Sequence, residues 1–265
     1  MEVSMSNLSI EFFSNSLMRP VTFKLVIPND PREYTPKAEG KYAERKMKLL
    51  FLLHGYTGSG FNWVPEDLPY KYNFAIVIPN GENGFWVDSP SSTARYATLL
   101  GVEIPKYLKD TFGFSLTPED TYILGFSMGG YGALHTALSY PDVFGKVGAM
   151  SSALIIHDLK KFRSGEAEGI CNKEYYECCF GDLDRAEDSD YNPEVLALKL
   201  KESNKKIPGI YMCCGTEDFL LENNRVTDRF FTANEIPHIY KESKGIHDMV
   251  FWAEYTEKII EWMFG

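Results

Sequence analysis

The chain has 265 residues, of which 44% are hydrophobic and 24% are charged, and its formal net charge is −10. This length suits one large α/β domain or two small ones, and the composition is that of a globular protein able to bury a core. The acidic excess argues against nucleic acid or an anionic membrane surface as the main partner.

The amino-terminal residues contain neither a basic start nor an unbroken apolar stretch, so we expect no signal peptide and a cytoplasmic protein. No stretch approaches the roughly 18 apolar residues of a membrane-spanning helix, so we expect no membrane partner. Four of the five cysteines form the pairs Cys178-Cys179 and Cys213-Cys214. Neither pair has metal-ligand spacing, which indicates buried, reduced thiols.

The chain opens with a predicted antiparallel hairpin, followed by a polar stretch that predicts an exposed loop. Runs of consecutive apolar residues then recur, as is typical of strands covered on both faces. The hairpin strands are 9–14 and 20–27, the loop is 29–48, and the apolar runs are 49–53, 74–78, 122–125, 146–150 and 207–214, with a sixth starting at 239.

Helical periodicity separates and follows these runs. It covers about 92–112, where Pro105 predicts a kink or a split, and about 249–263 before the carboxyl end. Strands that alternate with helices predict an α/β fold, in which a mostly parallel central sheet carries helices on both faces.

One segment, from 153 to about 200, interrupts this alternation. It is polar, yet it carries the aromatic residues Tyr175, Tyr176 and Phe180. We therefore predict a single domain over 1–265 with a cap-like insertion at 153–200 that lies over a site.

The segment Gly125-Phe126-Ser127-Met128-Gly129 has the G-x-S-x-G pattern of a nucleophile elbow. The pattern is short enough to recur by chance, but here a strand-like run precedes it and a stretch of small residues follows it. A Cβ at either flanking glycine would collide with the neighbouring strand or helix. The turn would leave Ser127 exposed at a helix amino terminus.

A serine nucleophile needs a base, a group that orients the base, and donors for the oxyanion. The loop His54-Gly55-Tyr56-Thr57-Gly58 directly follows the first central run. Gly55 would let the chain turn so that the Tyr56 amide faces the site and forms an oxyanion hole with the Met128 amide. We interpret His54 as a structural residue that holds this loop, in preference to a catalytic one.

The acid and the base should follow the serine in the order acid, histidine. His247 lies in a short loop before the last helix and is the candidate base, with His238 as its main rival. Asp218, just past the fifth apolar run, is the candidate orienting acid, with Glu217 as the next choice. Asp248 is interpreted as an acid at a helix amino terminus. Of the other histidines, His54 precedes the elbow, His135 lies on its helix and His157 falls in the insertion.

With these residues assigned, the chain resembles the esterase family that includes bacterial tributyrin esterase and is related to esterase D and to carbohydrate esterase family one. The similar segments are LLFLLHGYTGSGFNW, VIPNGENGFWVDS, YILGFSMGGYGAL, GTEDFLLENNR and GIHDMVFW. The resemblance implies an α/β-hydrolase fold and carboxylic ester hydrolysis, with Ser127 as nucleophile, His247 as base and Asp218 as orienting acid. It also implies that Trp86 lies near the active site and binds substrate; ordinary loop packing is the alternative.

The mechanism needs no metal or organic cofactor, and the expected partner is a small ester or an acylated oligosaccharide. The main interpretation is a short-acyl carboxylesterase. An acetyl or feruloyl esterase acting on decorated xylo-oligosaccharides is the first alternative. A thioesterase such as S-formylglutathione hydrolase is disfavoured because residues 51–64 contain no cysteine. A non-catalytic binding module is disfavoured because the serine, acid and histidine are all present in order. Similar enzymes are often homo-oligomers, and the sequence does not give a number of subunits.

Overall fold

The computed structural model describes residues 5–29, 38–162 and 171–265. The strands are β1 (Ser6–Ser14), β2 (Arg19–Ile27), β3 (Lys48–Leu53), β4 (Phe74–Ile78), β5 (Thr121–Phe126), β6 (Lys146–Met150), β7 (Gly209–Gly215) and β8 (Ile239–Ser243). The α-helices are α1 (Lys41–Glu44), α2 (Asp67–Tyr72), α3 (Tyr96–Thr98), α4 (Ile104–Phe112), α5 (Met128–Ser139), α6 (Lys173–Phe180), α7 (Pro193–Glu202), α8 (Leu221–Ala233) and α9 (Met249–Phe264).

These strands form one sheet in the order β1-β2-β4-β3-β5-β6-β7-β8. β2 pairs antiparallel with β1 and with β4, and the pairs from β4 to β8 are parallel. The predicted α/β class with a mostly parallel sheet is therefore confirmed. Because parallel strands point the same way, the residues that follow β3, β5, β7 and β8 lie along the same edge of the sheet.

The apolar runs are buried because helices cover both faces of the sheet. Along β3, Leu49 and Phe51 belong to one apolar cluster, which includes Leu134 of α5. The intervening Leu50 belongs to a second cluster, which includes Ile259 of α9. Alternate residues of one strand thus enter opposite layers, as the two-fold repeat of a β-strand requires.

The helix predicted from about 92 begins only at Tyr96 and is divided as the proline predicts. A π-helical turn over Leu99–Glu103 joins α3 to α4, and Pro105 lies in the first turn of α4. Proline lacks the N–H that would bond to the carbonyl of Gly101, so the turn before it widens.

Three further expectations need correction. The predicted loop 29–48 contains α1 and ends where β3 begins, and its residues 30–37 lie outside the described residues. The strand expected from 207 begins at Gly209, because Pro208 cannot donate a ladder hydrogen bond. Cys178 is exposed, whereas the other four cysteines are buried, and all five are free thiols.

The segment 153–200 contains a 3-10 turn (Ile156–Phe162), α6, a second 3-10 turn (Ala186–Asp188) and most of α7. Its residues 163–170 lie outside the described residues. The segment is attached to α5, because the Tyr131 hydroxyl donates to the carbonyl of Tyr191 at 2.6 Å. Within the described part of the chain, no helix is long and apolar enough to cross a bilayer.

Candidate active site

The serine of the elbow lies where β5 ends and α5 begins. Ser127 has φ 56° and ψ −123°, a left-handed conformation that costs an ordinary residue about 1–3 kcal/mol. A Cβ on Gly125 would come within 2.1 Å of the Gly129 carbonyl oxygen, and one on Gly129 within 2.0 Å of the Leu53 carbonyl oxygen. The steric reason predicted for the two glycines is therefore confirmed.

Two side chains from separate loops are linked to this serine, one directly and the other through the first. His247 Nε2 lies 2.9 Å from Ser127 Oγ, and its Nδ1 lies 2.9 Å from Asp218 Oδ2. Asp218 follows β7 and His247 follows β8, so the sheet edge brings together residues that are 91 and 120 positions from the serine along the chain. The carboxylate, imidazole and hydroxyl form one continuous hydrogen-bonded chain.

The carboxyl group of Asp218 is buried and held in its charged form. Burial alone would raise the pKa of Asp218, but the hydrogen bonds from His247 and from the Leu220 amide (2.8 Å) hold that pKa below its ordinary value. An ionised Asp218 accepts the Nδ1–H of His247, which leaves Nε2 to accept the hydroxyl proton of Ser127.

The alternative candidates for the base and the acid make no hydrogen bond to Ser127 or His247 within the described part of the chain. His238 Nε2 contacts Asp228 Oδ1 at 2.9 Å, and its Nδ1 contacts the Ile236 carbonyl oxygen at 2.8 Å. Glu217 is exposed beside the site. Asp248 accepts the amides of the first turn of α9, at 3.1 and 3.0 Å, which confirms its interpretation as an acid at a helix amino terminus.

The two predicted oxyanion donors lie at the wall of the same cavity as the serine. Tyr56 follows β3 and Met128 is the first residue of α5, and both line the cavity together with Ser127. Neither backbone amide donates a hydrogen bond to another described residue. A Cβ on Gly55 would lie 3.2 Å from Ser127 Cβ, so this glycine permits the loop to approach the elbow closely.

His54 is fully buried and contacts backbone groups on both sides of its ring. Its Nδ1 lies 2.8 Å from the Gly55 carbonyl oxygen, and the Gly81 amide donates to its Nε2 at 3.1 Å. Burial lowers the pKa of His54. A neutral ring with its proton on Nδ1 satisfies both contacts, in agreement with the structural role expected from the sequence.

Trp86 does not line the cavity. Its side chain is fully buried, its Nε1–H donates to the His54 carbonyl at 3.2 Å, and its ring fills the space where a side chain at Gly132 would stand. Its neighbour Phe85 lines the cavity instead. Both residues have positive φ, 51° for Phe85 and 60° for Trp86, so a tight local turn decides which aromatic ring faces the cavity.

The cavity above Ser127 has a volume of about 530 Å³ and combines aromatic walls with one polar group. This polar group is a cluster of three side chains, Asp158, Lys161 and Asn223, which the sequence analysis did not predict. The Asn223 amide donates to Asp158 Oδ2 at 2.6 Å, and Lys161 pairs with the same carboxylate. The only available signal was the closeness of Asn223 to Asp218 in the chain. The lining residues are Tyr56, Phe85, Ser127, Met128, Ala153, Ile155, Asp158, Lys161, Phe162, Cys171, Tyr176, Phe219, Leu220 and Asn223.

A mostly parallel sheet, a serine at a strand-to-helix turn, and an acid and a histidine on later loops of the same edge define the α/β-hydrolase class. The family model Esterase, described as "Putative esterase", matches residues 14–260, and the chain belongs to this family. It is a carboxylesterase, an enzyme that hydrolyses carboxylic esters.

The chain is 35% identical to an acetyl esterase of Caldicellulosiruptor saccharolyticus over 98% of each protein. An S-formylglutathione hydrolase of Staphylococcus aureus has a TM-score of 0.80 at 22% identity, over 99% of this chain and 100% of the other. A ferulic acid esterase has a TM-score of 0.75 at 19% identity, over 99% and 98% of the two chains. The two structural likenesses establish the fold.

Proposed function

We propose that the enzyme hydrolyses short-chain acyl esters, acetyl esters above all, through a covalent acyl intermediate on Ser127. The observation that carries this proposal is the chain of contacts from Asp218 through His247 to Ser127, with 2.9 Å at each link, beside an open cavity. The name of the full-length relative, acetyl esterase, supports the acyl preference.

The reaction proceeds in two steps. The Ser127 oxygen attacks the ester carbonyl carbon while Nε2 of His247 takes the hydroxyl proton. The bond between the carbonyl carbon and the alcohol oxygen then breaks, and the alcohol leaves with the proton from Nε2. Water next attacks the acyl carbon, gives one proton to His247, and releases the carboxylic acid as the proton returns to Ser127. Asp218 stabilises the imidazolium in both steps.

The Tyr56 and Met128 amides are the proposed oxyanion donors. Their lack of an acceptor among the described residues supports the assignment, because a preorganised hole keeps its donors available for the developing charge. Loss of one such donor lowers kcat by about 10²- to 10³-fold in comparable enzymes.

We propose that the segment 153–200 forms a cap over this site. Ala153, Asp158, Phe162, Cys171 and Tyr176 of this segment line the cavity. Because the catalytic groups come from other loops, the cap acts on substrate choice.

The polar group of the cavity favours a second candidate, an acetyl or feruloyl esterase acting on decorated oligosaccharides. The carboxylate of Asp158, the ammonium of Lys161 and the amide of Asn223 offer acceptors and donors to the hydroxyls of a sugar. A cavity of about 530 Å³ is also larger than an acetyl group requires, which leaves space for part of the alcohol.

The test is the variant Ser127→Ala, assayed with p-nitrophenyl acetate and labelled with a fluorophosphonate probe. We expect turnover to fall by about three orders of magnitude or more, and labelling to disappear, because the nucleophile is absent. Ser9→Ala, on the exposed side of β1, is the matched control, and we expect it to keep both turnover and labelling. Wild-type turnover in Ser127→Ala would end the proposal.

A substrate panel with the wild-type enzyme separates the candidates. It compares p-nitrophenyl acetate, butyrate and octanoate with acetylated and feruloylated xylo-oligosaccharides and with S-formylglutathione. We expect the highest kcat/KM for an acetyl ester. A maximum for octanoate or for the thioester would contradict the acetyl preference, and absence of turnover on every ester would favour a binding module.

A further inference from the structure

The peptide group between Gly55 and Tyr56 is held from one side. The Gly55 carbonyl accepts hydrogen bonds from His54 Nδ1–H at 2.8 Å and from the Gly58 amide at 3.1 Å. In a planar trans peptide, the carbonyl and the following N–H point in opposite directions. Holding the Gly55 oxygen therefore directs the Tyr56 N–H away from His54.

The next peptide group is held by a residue far away in the chain. The Thr57 amide donates to Asn83 Oδ1 at 2.9 Å. Thr57 has φ 61°, a conformation that is unfavourable for a β-branched residue and persists only where its surroundings impose it. The side chain of Asn83 is the polar partner that accepts the Thr57 amide.

Tyr175, a residue of the insertion, contacts both Asn83 and Tyr56. The Tyr175 hydroxyl, on α6, donates to the backbone carbonyl of Asn83 at 2.5 Å. Its ring packs edge-to-face against the ring of Tyr56, with 5.6 Å between the centroids. The start of α6 is itself fixed, because Asn172 Oδ1 accepts the Tyr175 amide at 3.0 Å.

We propose that Tyr175 and Asn83 are positioning residues through which the insertion holds the Tyr56 amide in the geometry of the oxyanion hole. The inference rests on the proposed function, because it takes the Tyr56 amide as an oxyanion donor. Neither side chain touches the reacting atoms. The path runs from α6 through Asn83 to Thr57, and through the edge-to-face contact of the two tyrosine rings to Tyr56.

This path predicts an effect on turnover more than on folding. Asn83 and Thr57 are both exposed. Hydrogen bonds at exposed positions contribute little to the free energy of unfolding, whereas a small displacement of an oxyanion donor lowers transition-state stabilisation directly.

The experiment compares four single variants of the full chain. Asn83→Leu keeps the size of the side chain and removes the acceptor, while Asn83→Asp keeps an acceptor for the Thr57 amide. Tyr175→Phe keeps the ring and removes the hydroxyl. Tyr191→Phe is the matched control. The Tyr191 hydroxyl also joins the insertion to the loop that carries Asn83, but it donates to the Asp88 carbonyl (3.0 Å), away from residues 54–58.

We expect Asn83→Leu to lower kcat for p-nitrophenyl acetate by about 10-fold or more, and Tyr175→Phe by about 5-fold, with KM changed less than about 2-fold. The inhibition constant of a phenylboronic acid, which forms a tetrahedral adduct with the serine, should rise in the same proportion. Asn83→Asp should keep turnover within about 3-fold of wild type, and Tyr191→Phe should match wild type.

Unchanged kcat and boronate inhibition in both Asn83→Leu and Tyr175→Phe would overturn the inference, as would an equal loss in Tyr191→Phe. A loss that Asn83→Asp fails to restore would also count against the role of the acceptor. Failure of the proposed function would be distinguishable, because wild-type enzyme would then show neither turnover nor boronate inhibition. Melting temperatures of all four variants check that the loss of kcat is not a loss of folded protein.

Discussion

At the scale of single residues, the proposed activation of Ser127 depends on the direction of each hydrogen bond at His247. Asp218 is charged and buried and accepts from Nδ1, so the lone pair on Nε2 is available to the serine proton. The geometry alone is not enough, because the same distances with the other tautomer would place a proton where the base must accept one.

The variant Asp218→Asn tests this dependence. An amide nitrogen that donates to Nδ1 would stabilise the tautomer with its proton on Nε2, so we expect kcat to fall by about 10⁴-fold while the fold persists. Steady-state kinetics and circular dichroism measure the two effects. Asp228→Asn, which alters the similar pair with His238 on another part of the surface, should keep full activity. A modest loss in Asp218→Asn would assign the orienting role to another group.

At the scale of elements, the insertion is held together by a charged cluster around its first 3-10 turn. His157 Nε2 contacts Glu194 at 3.1 Å and Nδ1 contacts Glu187 at 2.9 Å, while Lys160 pairs with Glu187 and the Thr227 hydroxyl donates to Glu194 at 3.0 Å. The bond to Glu194 is the main cause that raises the pKa of His157 to about 9, against the opposing effect of burial. The cluster joins two 3-10 turns, α7 and α8.

A pKa raised on folding has a defined consequence for stability. Unfolded histidine titrates near about pH 6.5, so the contribution of His157 is complete below that pH and disappears as pH rises through about 9. We expect the melting temperature of wild type to fall over this window more steeply than that of His157→Gln. The difference between the two proteins should be largest at pH 6 and should shrink toward pH 10. Parallel curves would show that His157 is not charged in the folded protein.

The elements that the sequence predicts well are those with a strong local signal. β4 and β6 match their predicted bounds, because β4 is apolar at every position and the residues of β6 after Lys146 are apolar or small. The elbow follows from two glycines that have no room for a Cβ. The orientation of Trp86 was not predictable, because it depends on two successive residues with positive φ. The pair of Asp158 and Asn223 was not predictable either, because it joins residues 65 positions apart that share no motif.

At the scale of the whole molecule, a buried histidine in the helix that carries the elbow predicts how stability changes in acid. His135 is buried between the sheet and the insertion, and its Nε2 donates to the Asp190 carbonyl at 3.0 Å. Burial lowers its pKa to about 4, so the folded protein keeps the ring neutral where an unfolded chain would already bind a proton.

We therefore expect the melting temperature to fall as pH decreases from about 6.5 to about 4, because the unfolded state gains a proton that the folded state does not bind. His157 adds little slope in the lower part of this window, since well below pH 6.5 it is charged in both states. His135→Gln, whose amide can donate to the same carbonyl without titrating, should flatten the curve. The same acid dependence in His135→Gln would assign it to carboxyl groups elsewhere.

Half of the residues that line the cavity belong to the segment 153–200, whereas the proposed catalytic side chains lie outside it, and Tyr175 of α6 contacts Tyr56 beside them. Because of this division, replacement of one continuous segment during evolution can change the substrate range while the residues proposed to cleave the ester stay the same. Tyr175 restricts which segments can replace this one, because its hydroxyl holds Asn83 beside the proposed oxyanion loop 54–58. Among descendants that exchange this segment, positions 83 and 175 should change together, and a transplanted segment without a hydroxyl at that point would carry a new specificity at a reduced rate.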